Sequence, residues 1–410
     1  MEVIVDCCAG LDVHQATVVA CVNRSGRGGR SHKEIRSFGT MPDDLTALRD
    51  WLLEAGVTQV AMESTGVYWK PVYAALEDHF EVIVANAQHI KNVPGRKTDV
   101  KDCDWLSDLQ RDGLIRPGFV PPRPIRELRE LCRYRNRLVQ LQAGDRNRLI
   151  KVLETAGIKL AGVASDVFGV SGRAMLRALI AGEASAAAMA GLARGMLRRK
   201  CAELARALAA PLRPHQRLML ATQLARVEQT EADLQRLDAA ITEMVEPYQQ
   251  QLRQLMSIPG IDWLGAVGII AEIGVDMTRF RSAEHLASWT AVCPGNNESA
   301  GRQRSGRTRK GNVFLKTILM RAGFNGARRQ GSYFSEKFRR LAVRRGRLRA
   351  GMAIAHKMLV VIWHMLRDGT FYQDPGAACL DRMDRTRTAS RLVKRLTAMG
   401  FDVQLNEAAA

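Results

Sequence analysis

The sequence lacks the marks of a membrane protein, a secreted protein or a zinc-binding module. No stretch reaches the roughly 18 uninterrupted apolar residues that cross a bilayer, and the best candidate, residues 358–366, is short and contains His364. The first twelve residues contain no Lys or Arg, so they do not resemble a signal peptide. None of the 8 cysteines belongs to a CxxC pair. We therefore predict a cytoplasmic protein with reduced thiols and no membrane partner.

Basic residues, in contrast, are in excess and unevenly placed. The chain has 61 Lys and Arg against 42 Asp and Glu, a formal net charge of +19. Such an excess is typical of proteins that bind a polyanion, and nucleic acid is the usual one. Residues 302–349 contain 16 basic residues and one acid, Glu336, whereas residues 1–120 contain 13 basic and 17 acidic residues. The first part of the chain therefore suits an acidic or metal site, and the later part suits phosphate binding.

The N-terminal 116 residues alternate strand and helix patterns. Short β-branched apolar runs predict strands at 4–8, 17–22, 34–38, 60–62 and 82–84. Thr40 followed by Asp43 predicts a capping box at a helix start, and residues 67–79 resemble a second helix. The order is strand, strand, strand, helix, strand, helix, strand, helix. It predicts an α/β domain with the ribonuclease H-like, or RuvC-like, fold.

The rest of the chain is predicted to be mostly helical. A cluster of prolines indicates a linker at 116–124. Apolar residues at steps of three and four from Leu220 to Leu255 predict a coiled-coil helix suited to pairing between subunits, unless it packs within its own domain. We divide the chain into a nuclease domain, a linker and long-helix region with an Ala-rich insertion, a C-terminal domain, and a basic helical tail, at 1–116, 117–255, 256–368 and 369–410.

Residues 258–271 predict a helix-hairpin-helix element within the C-terminal domain. They read Ile-Pro-Gly-Ile and then a run of small and apolar residues that would begin the second helix. The glycine-containing turn of such an element presents backbone N–H groups, which suits DNA phosphates. The alternative is a turn between two helices that binds no ligand.

Four carboxylates are the candidate catalytic and metal-binding residues: Asp12, Glu63, Asp99 and Asp102. Asp12 and Glu63 end strands that are neighbours in a ribonuclease H-like sheet, so they would meet at one edge. Asp99 and Asp102 are three residues apart and would share a helix face. Four close carboxylates repel one another unless cations neutralise them, and magnesium is the usual divalent cation in phosphoryl chemistry. The remaining nearby acids, Asp6, Asp104 and Asp108, are interpreted as ordinary solvated side chains.

Ser299 is the second candidate catalytic residue. It lies in a loop of small and polar residues, followed by five basic residues that are predicted to bind DNA: Arg302, Arg304, Arg307, Arg309 and Lys310. A serine in such surroundings could attack a phosphodiester, and the alternative is a loop that only contacts DNA. No histidine lies near enough in sequence for a hydrolase triad, and no GxxxxGK[ST] motif indicates ATP use.

Four separated motifs together resemble the transposases of the insertion-sequence-110 family, also called DEDD transposases or bridge-RNA-guided recombinases. The motifs, in order, are GLDVH, AMESTGVYW, NVPGRKTDVKDCDWL and CPGNNESAGRQRSGRTRKGN. The resemblance extends over nearly the whole chain. Cys103 stands where the family more often has Ala, and His14 stands where it often has Lys.

The resemblance implies properties that the residues themselves do not show. It implies that Asp12, Glu63, Asp99 and Asp102 are the acids of a RuvC-like domain, and that Ser299 forms a transient 5′-phosphoserine link to DNA. It also implies a bacterial protein that acts at the nucleoid as a homotetramer, a dimer of dimers, with an active site composed across subunits. Finally, it implies that a noncoding bridge RNA from the element pairs with donor and target DNA and selects both sequences.

Two other functions stay open at this point. A RuvC-like hydrolytic or junction-resolving nuclease would use the four acids and water, and it would not need Ser299. A non-catalytic nucleic-acid-binding protein would need only the basic C-terminal part, although the complete set of acids argues against it.

Overall fold

Two units of different architecture make up the chain, residues 1–120 and residues 121–410. The computed structural model describes residues 4–26, 31–64, 66–85, 90, 102–182, 184–294, 298–299, 302–303, 308, 311–383 and 385–404. The first unit is built on a mixed sheet, and the second is mostly helical. None of the helices described is both long enough and apolar enough to cross a membrane.

A five-stranded sheet is the centre of the first unit. Its strands are β1 (Cys7–Val13), β2 (Val18–Ser25), β3 (Ser31–Phe38), β4 (Gln59–Glu63) and β5 (Glu81–Ala85). Their order is β3-β2-β1-β4-β5, with β1, β2 and β3 antiparallel and with β4 and β5 parallel to β1. The predicted sequence of strands is present, but β1 begins three residues later than predicted. Its residues Cys8 to Leu11 are all buried, as expected for a central strand covered on both faces.

Helices cover both faces of this sheet. They are α1 (Pro42–Glu54), α2 (Trp69–Leu76) and α3 (Asp102–Arg111). Leu48 and Trp51 of α1 and Leu76 of α2 pack with Leu11 of β1 on one face. On the other face, Leu106 of α3 packs with other core residues such as Ala61. The two layers thus bury opposite sides of the same strands.

The capping box predicted from Thr40 and Asp43 is wrong by one position. The backbone N–H of Met41 donates to Oδ2 of Asp44 at 3.2 Å, whereas the Thr40 hydroxyl donates to the Gln15 carbonyl at 3.0 Å. Pro42 occupies the first helical position, where its missing N–H costs nothing. The helix therefore starts one residue later than the capping pattern indicated.

Helices form most of the second unit. They are α4 (Arg123–Thr155), α5 (Leu160–Val163), α6 (Val170–Ala181), α7 (Ala186–Gly191), α8 (Cys201–Ala207), α9 (Pro214–Met244), α10 (Gln249–Met256), α11 (Trp263–Ile273), α12 (Ala283–Thr290), α13 (Val313–Gly326), α14 (Tyr333–Arg345), α15 (Arg347–Asp368), α16 (Cys379–Met383) and α17 (Arg385–Ala398). A two-stranded hairpin, β6 (Glu298–Ser299) and β7 (Arg302–Gln303), lies in the chain between α12 and α13.

The two longest helices, α4 and α9, pack against each other in antiparallel orientation. Arg135 pairs with Asp238, and Arg146 donates to Glu231 at 2.8 Å. On α9, Leu224 packs into a core cluster with residues of α4 and α6. The seam predicted to run unbroken to Leu255 is wrong, because α9 ends at Met244 and a short turn of 3-10 helix, Glu246–Tyr248, follows. Leu220, Leu224, Val227 and Ile241 of α9 are buried within the chain, which was the alternative to pairing between subunits.

The predicted helix-hairpin-helix corresponds to α10, α11 and the turn between them. Gly260 in that turn has φ +94°, and an added Cβ would lie 2.4 Å from the carbonyl oxygen of Ala322 and from the nitrogen of Gly326. Both atoms belong to α13. The glycine is therefore required by close packing of the turn on α13, so its presence does not by itself indicate a phosphate site.

Candidate active site

Asp12 and Glu63 occupy equivalent positions on neighbouring parallel strands. Leu11 pairs with Met62 in the ladder between β1 and β4, so Asp12 and Glu63 are the next residues on each strand. Leu11 and Met62 face the core beneath α1 and α2. Because side chains alternate along a strand, the two carboxylates lie on the opposite face, which is the face that α3 covers.

The N-terminus of α3 lies at the same end of β1. An added Cβ on Gly10 would lie 2.2 Å from the Cys103 carbonyl oxygen and 2.5 Å from the Ser107 nitrogen. At the opposite end, the Arg111 carbonyl accepts a hydrogen bond of 3.1 Å from the Ile4 N–H. The helix therefore runs antiparallel to β1. Asp102, its first residue, is thus placed near the strand end that carries Asp12.

Gly10→Ala tests this packing directly. Since the added methyl meets backbone atoms of α3, we expect it to displace the helix and to lower the free energy of unfolding by about 1–3 kcal/mol. Cys103, now fully buried, should react faster with a maleimide, as followed by mass spectrometry. Gly162→Ala is the matched control, because nothing lies within 4 Å of its Cβ position. Unchanged labelling and stability in the Gly10 variant would contradict the assigned helix contact.

Asp104 and Asp108, which were predicted to be ordinary solvated acids, are ion-paired. Both carboxylates contact the Lys33 ammonium, Asp108 at 2.7 Å, and Asn23 donates to Asp108 at 3.0 Å. Lys33 lies on β3 and Asn23 on β2, so these bonds attach α3 to the sheet across two strands. Burial lowers the pKa of Lys33, but the hydrogen bonds that it donates to both acids outweigh this effect and raise the pKa, which keeps the lysine charged. Asp104 and Asp108 therefore orient α3. They are engaged by Lys33 and do not replace Asp102 as candidate metal ligands.

The surroundings of Asp12 contain one histidine and one buried thiol. His14 Nε2 lies 3.2 Å from Asp12 Oδ2, and the histidine side chain is largely exposed. Burial raises the pKa of Cys103 to about 11, and the charge of Asp12 adds to that effect. Cys103 is therefore a neutral thiol at physiological pH. It behaves as a small apolar residue and does not compete with the carboxylates for a cation.

The predicted group of four acids is described only in part. Asp99 lies outside the described residues. Within the described ranges, no three His, Cys, Asp or Glu side chains are close enough together to hold a metal ion. Asp12, Glu63 and Asp102 lie on the side of the sheet that α3 covers. The complete cluster of four acids stays a prediction.

Ser299 lies on the first strand of the short hairpin formed by β6 and β7. In this hairpin it is the direct cross-strand partner of Arg302. An isolated bridge between Pro294 and Thr308 continues the pairing toward the helices on either side. Of the other predicted DNA-binding residues, Arg304, Arg307, Arg309 and Lys310 lie outside the described residues. Ser299 therefore lies on β6 opposite Arg302, the first residue of β7.

The returning chain is anchored where α13 begins. An added Cβ on Gly311 would lie 2.5 Å from the Ala291 Cβ and 2.8 Å from the Thr290 carbonyl oxygen. This close approach holds the segment after the hairpin against the end of α12. Asn312 then caps α13, accepting a hydrogen bond of 3.0 Å from the Leu315 N–H.

A buried carboxylate, Glu272 of α11, holds this anchor. Its oxygens accept two hydrogen bonds of 2.9 Å from Arg133 and one of 2.6 Å from the Asn312 amide. Arg129 donates to the Glu272 backbone carbonyl at 2.7 Å. Burial lowers the pKa of Arg129 to about 10, although the Glu272 charge opposes that shift. The carboxylate thereby joins α4 and α11 to the base of the serine hairpin.

The sequence contained a signal for Glu272 that the sequence analysis did not use. It is the only charged residue in the otherwise apolar helix α11, with 3% of its side chain exposed. A lone acid on a helix that is apolar all round needs a buried cation, and the arginines at 129 and 133 are spaced to share one helix face. The pattern indicates a buried ion pair, but not which helix supplies the arginines.

Two parts of the chain match models of transposase families. Residues 9–158 match a DEDD model of the IS110 type that is described as "Transposase". Residues 252–339 match a model described as "Transposase IS116/IS110/IS902 family". The first three motifs of the sequence lie within the first match, and the fourth lies within the second.

Two bacterial proteins are similar to parts of the chain. The "Transposase for insertion sequence element IS1111A" of Coxiella burnetii is 29% identical over 121 residues, 28% of this chain and 33% of that protein. The "Insertion element IS110 uncharacterized 43.6 kDa protein" of Streptomyces coelicolor is 30% identical over 142 residues, 33% of this chain and 34% of that protein. Each alignment thus spans about a third of the relative's own length.

Matches to transposase models in both units place the chain in the class of transposases. The chain belongs to the insertion-sequence-110 family of transposases, as its four motifs predicted.

Proposed function

We propose that the chain is a site-specific DNA recombinase that cuts and rejoins strands with one carboxylate site and one serine nucleophile. The observation that carries this proposal is the equivalent placement of Asp12 and Glu63 on the sheet face that α3 covers, at the end of β1 where α3 begins with Asp102. The strand order β3-β2-β1-β4-β5 supports assigning the first unit to the RuvC-like, ribonuclease H-like fold. Asp99, three residues before Asp102, would complete the set.

The donor chemistry of this edge fits a hard divalent cation. Asp12, Glu63 and Asp102 offer carboxylate oxygens, which magnesium prefers, and the adjacent Cys103 is a neutral thiol. With Asp99 these side chains would hold the cation, and a bound cation would stabilise the negative charge that develops on a phosphodiester under attack. Asp104 and Asp108 would orient Asp102 in this site, because their ion pairs with Lys33 fix α3 to the sheet.

Ser299 would supply the covalent step. Its oxygen attacks phosphorus, the bond from phosphorus to the 3′-oxygen breaks, and the serine proton leaves with that 3′-oxygen. The product is a 5′-phosphoserine ester, and attack by another 3′-hydroxyl reverses the step and restores free serine. Arg302, Arg304, Arg307, Arg309 and Lys310 would contact the phosphates around the scissile bond. The anchor at Glu272 and Asn312 supports a fixed position of this hairpin.

The proposed partners are donor DNA, target DNA, a noncoding bridge RNA and further copies of the chain. The net charge of +19 suits a protein that holds several nucleic-acid backbones while base pairing selects the sequence. A dimer of dimers would allow the acids of one subunit to act with the serine of another. Its interface would have to use exposed residues, because Ile241 and Leu224 of α9 are already buried within the chain.

Asp12→Asn tests the carboxylate site. Removal of one charged oxygen donor should lower recombination between donor and target plasmids by roughly 100-fold or more, since even indirect supports of a metal site contribute 10–100-fold. Binding of DNA and RNA, measured by gel mobility shift, should persist. Asp6→Asn is the matched control, because Asp6 is exposed just before the opposite end of the same strand. Full wild-type activity in the presence of a metal chelator would contradict a metal-dependent site.

A hydrolytic or junction-resolving nuclease is the alternative function. The same carboxylate edge supports this alternative, because hydrolysis by a carboxylate site does not require a serine. The two proposals differ in their products, because hydrolysis leaves broken strands and the serine route leaves rejoined ones.

A further inference from the structure

The corner between α14 and α15 combines exposed apolar and unpaired basic side chains. Val343 is 87% exposed and Leu348 is 76% exposed, the two highest fractions among the large hydrophobic residues described. All seven residues from 343 to 349 are exposed, and four of them are arginines: Arg344, Arg345, Arg347 and Arg349. The corner lies beyond residues 252–339, so the matched C-terminal family model does not cover it.

The arginines of the corner differ from those one turn earlier. Arg339 donates to Glu336 at 2.8 Å, and Arg340 bonds to both Glu336 and Asp381. Over the described ranges, no hydrogen bond or ion pair is made by the side chains of the four corner arginines. Two of them, Arg347 and Arg349, lie in the first turn of α15, where the helix dipole makes positive charge unfavourable. Arg344 and Arg345 lie in the last turn of α14, where positive charge is favourable. The helix dipole therefore does not explain Arg347 and Arg349, and these two indicate an anionic partner.

The helices on either side of the corner pack on α13. Gly346 joins the two helices with φ +81° and ψ 159°, a conformation that favours glycine. Just inside the corner, an added Cβ on Gly351 would lie 2.7 Å from the Phe324 ring, so α15 packs closely on α13. Phe324 also contacts Phe338 of α14, with ring centroids 5.9 Å apart. The corner is thus carried by two helices that both contact Phe324 of α13.

We propose that this corner, residues 343–349, is a DNA wedge that binds duplex DNA and bends it. Leu348, with Val343 beside it, inserts at a base step from the minor groove, and the arginines bind the phosphates on either side. Apolar wedges flanked by basic residues kink duplexes in this way, because added backbone contacts offset the loss of base stacking. The inference rests on the chain acting on DNA, but not on Ser299 or on the acids.

The test uses the full chain and a 30-base-pair duplex labelled at both ends for energy transfer, without RNA and without divalent metal. Wild-type protein should bring the duplex ends closer and make thymines at the bent step reactive to permanganate. Leu348→Ala should lose the bend and the permanganate signal. Leu218→Ala, which truncates an exposed leucine on α9 (69% exposed), should retain both.

The arginines are tested through the salt dependence of binding. Arg345→Gln/Arg347→Gln should reduce the slope of log affinity against log salt by about two, since each lost phosphate contact removes about 0.9. Arg198→Gln/Arg199→Gln is the control, because it removes the same charge from two exposed arginines elsewhere. This variant should bend the duplex as wild type does. The wedge is overturned if Leu348→Ala bends DNA like wild type. It is also overturned if the Arg345/Arg347 variant keeps its salt slope but changes oligomer size, which would assign the corner to a protein contact. Because cleavage is not measured, failure of the serine mechanism would leave this result unaffected.

Discussion

Ser299→Ala is expected to abolish both recombination and the covalent protein–DNA adduct. The serine ester conserves the energy of the phosphodiester, so strands can be rejoined without ATP, and the chain has no P-loop motif. Loss of the attacking oxygen removes the whole route, and nucleophile removal typically lowers rates by 10⁴-fold or more. The measurement is a denaturing gel of wild-type and variant protein incubated with labelled donor and target plasmids and the element's flanking RNA. Wild type should give a protein band that carries DNA label.

Ser305→Ala is the matched control for this experiment, because it removes a hydroxyl from the same loop. It should retain the adduct. If Ser305→Ala alone removes the adduct, the nucleophile is the other serine of the loop. If Ser299→Ala still recombines plasmids, Ser299 only contacts DNA. Broken strands without any adduct in the wild type would favour the hydrolytic nuclease.

Glu272→Gln is expected to have the largest effect on stability. The carboxylate is 3% exposed and forms ion pairs with Arg133 and Arg129, so the amide removes the negative charge that both guanidinium groups contact. Breaking a buried ion pair by removing one partner typically costs about 3–5 kcal/mol. The Asn312 side chain also loses a charged acceptor, so the start of α13 and the hairpin that precedes it should become less fixed. Urea unfolding of the full chain should show a lower midpoint, and the Ser299 adduct should decrease even where the protein is folded.

Glu243→Gln controls for loss of a negative charge in the same unit. Glu243 is an exposed residue near the end of α9, and surface changes of this kind usually stay within about 0.5 kcal/mol. Equal unfolding midpoints for the two variants would show that Glu272 does not hold the anchor. An unfolding change without any change in adduct formation would separate stability from hairpin positioning.

Much of the first unit could be predicted from local patterns. The element order followed from apolar runs, and the positions of Asp12 and Glu63 followed from where those runs end. Strand periodicity places the two acids on one face as soon as β1 and β4 are neighbours. Bounds were less predictable: β1 begins at Cys7, where its pairing with β2 starts, rather than at residue 4, and the apolar Ile4 is 69% exposed.

The second unit was harder to predict, because the partner of an apolar helix face is not encoded locally. The periodicity from Leu220 to Leu255 correctly indicates helix, but the same pattern serves a partner subunit or a neighbouring helix. The structure pairs α9 with α4, and ion pairs such as Arg135 with Asp238 set their antiparallel alignment. Likewise, Gly260 suggested a phosphate-binding turn from sequence, whereas its contact with α13 accounts for the glycine by packing.

The sequence alone was sufficient for the family, the mixed α/β and helical architecture, and the residue types of the candidate chemistry. These depend on short motifs, composition and periodicity, which are properties of neighbouring residues. Only the tertiary structure paired Asp104 and Asp108 with Lys33, buried Glu272 against Arg133, and exposed Leu348 among unpaired arginines. Each of these features depends on which distant segments of the chain meet. The neighbouring segments decide whether a charged side chain forms an ion pair, anchors a helix or stays exposed to bind a ligand.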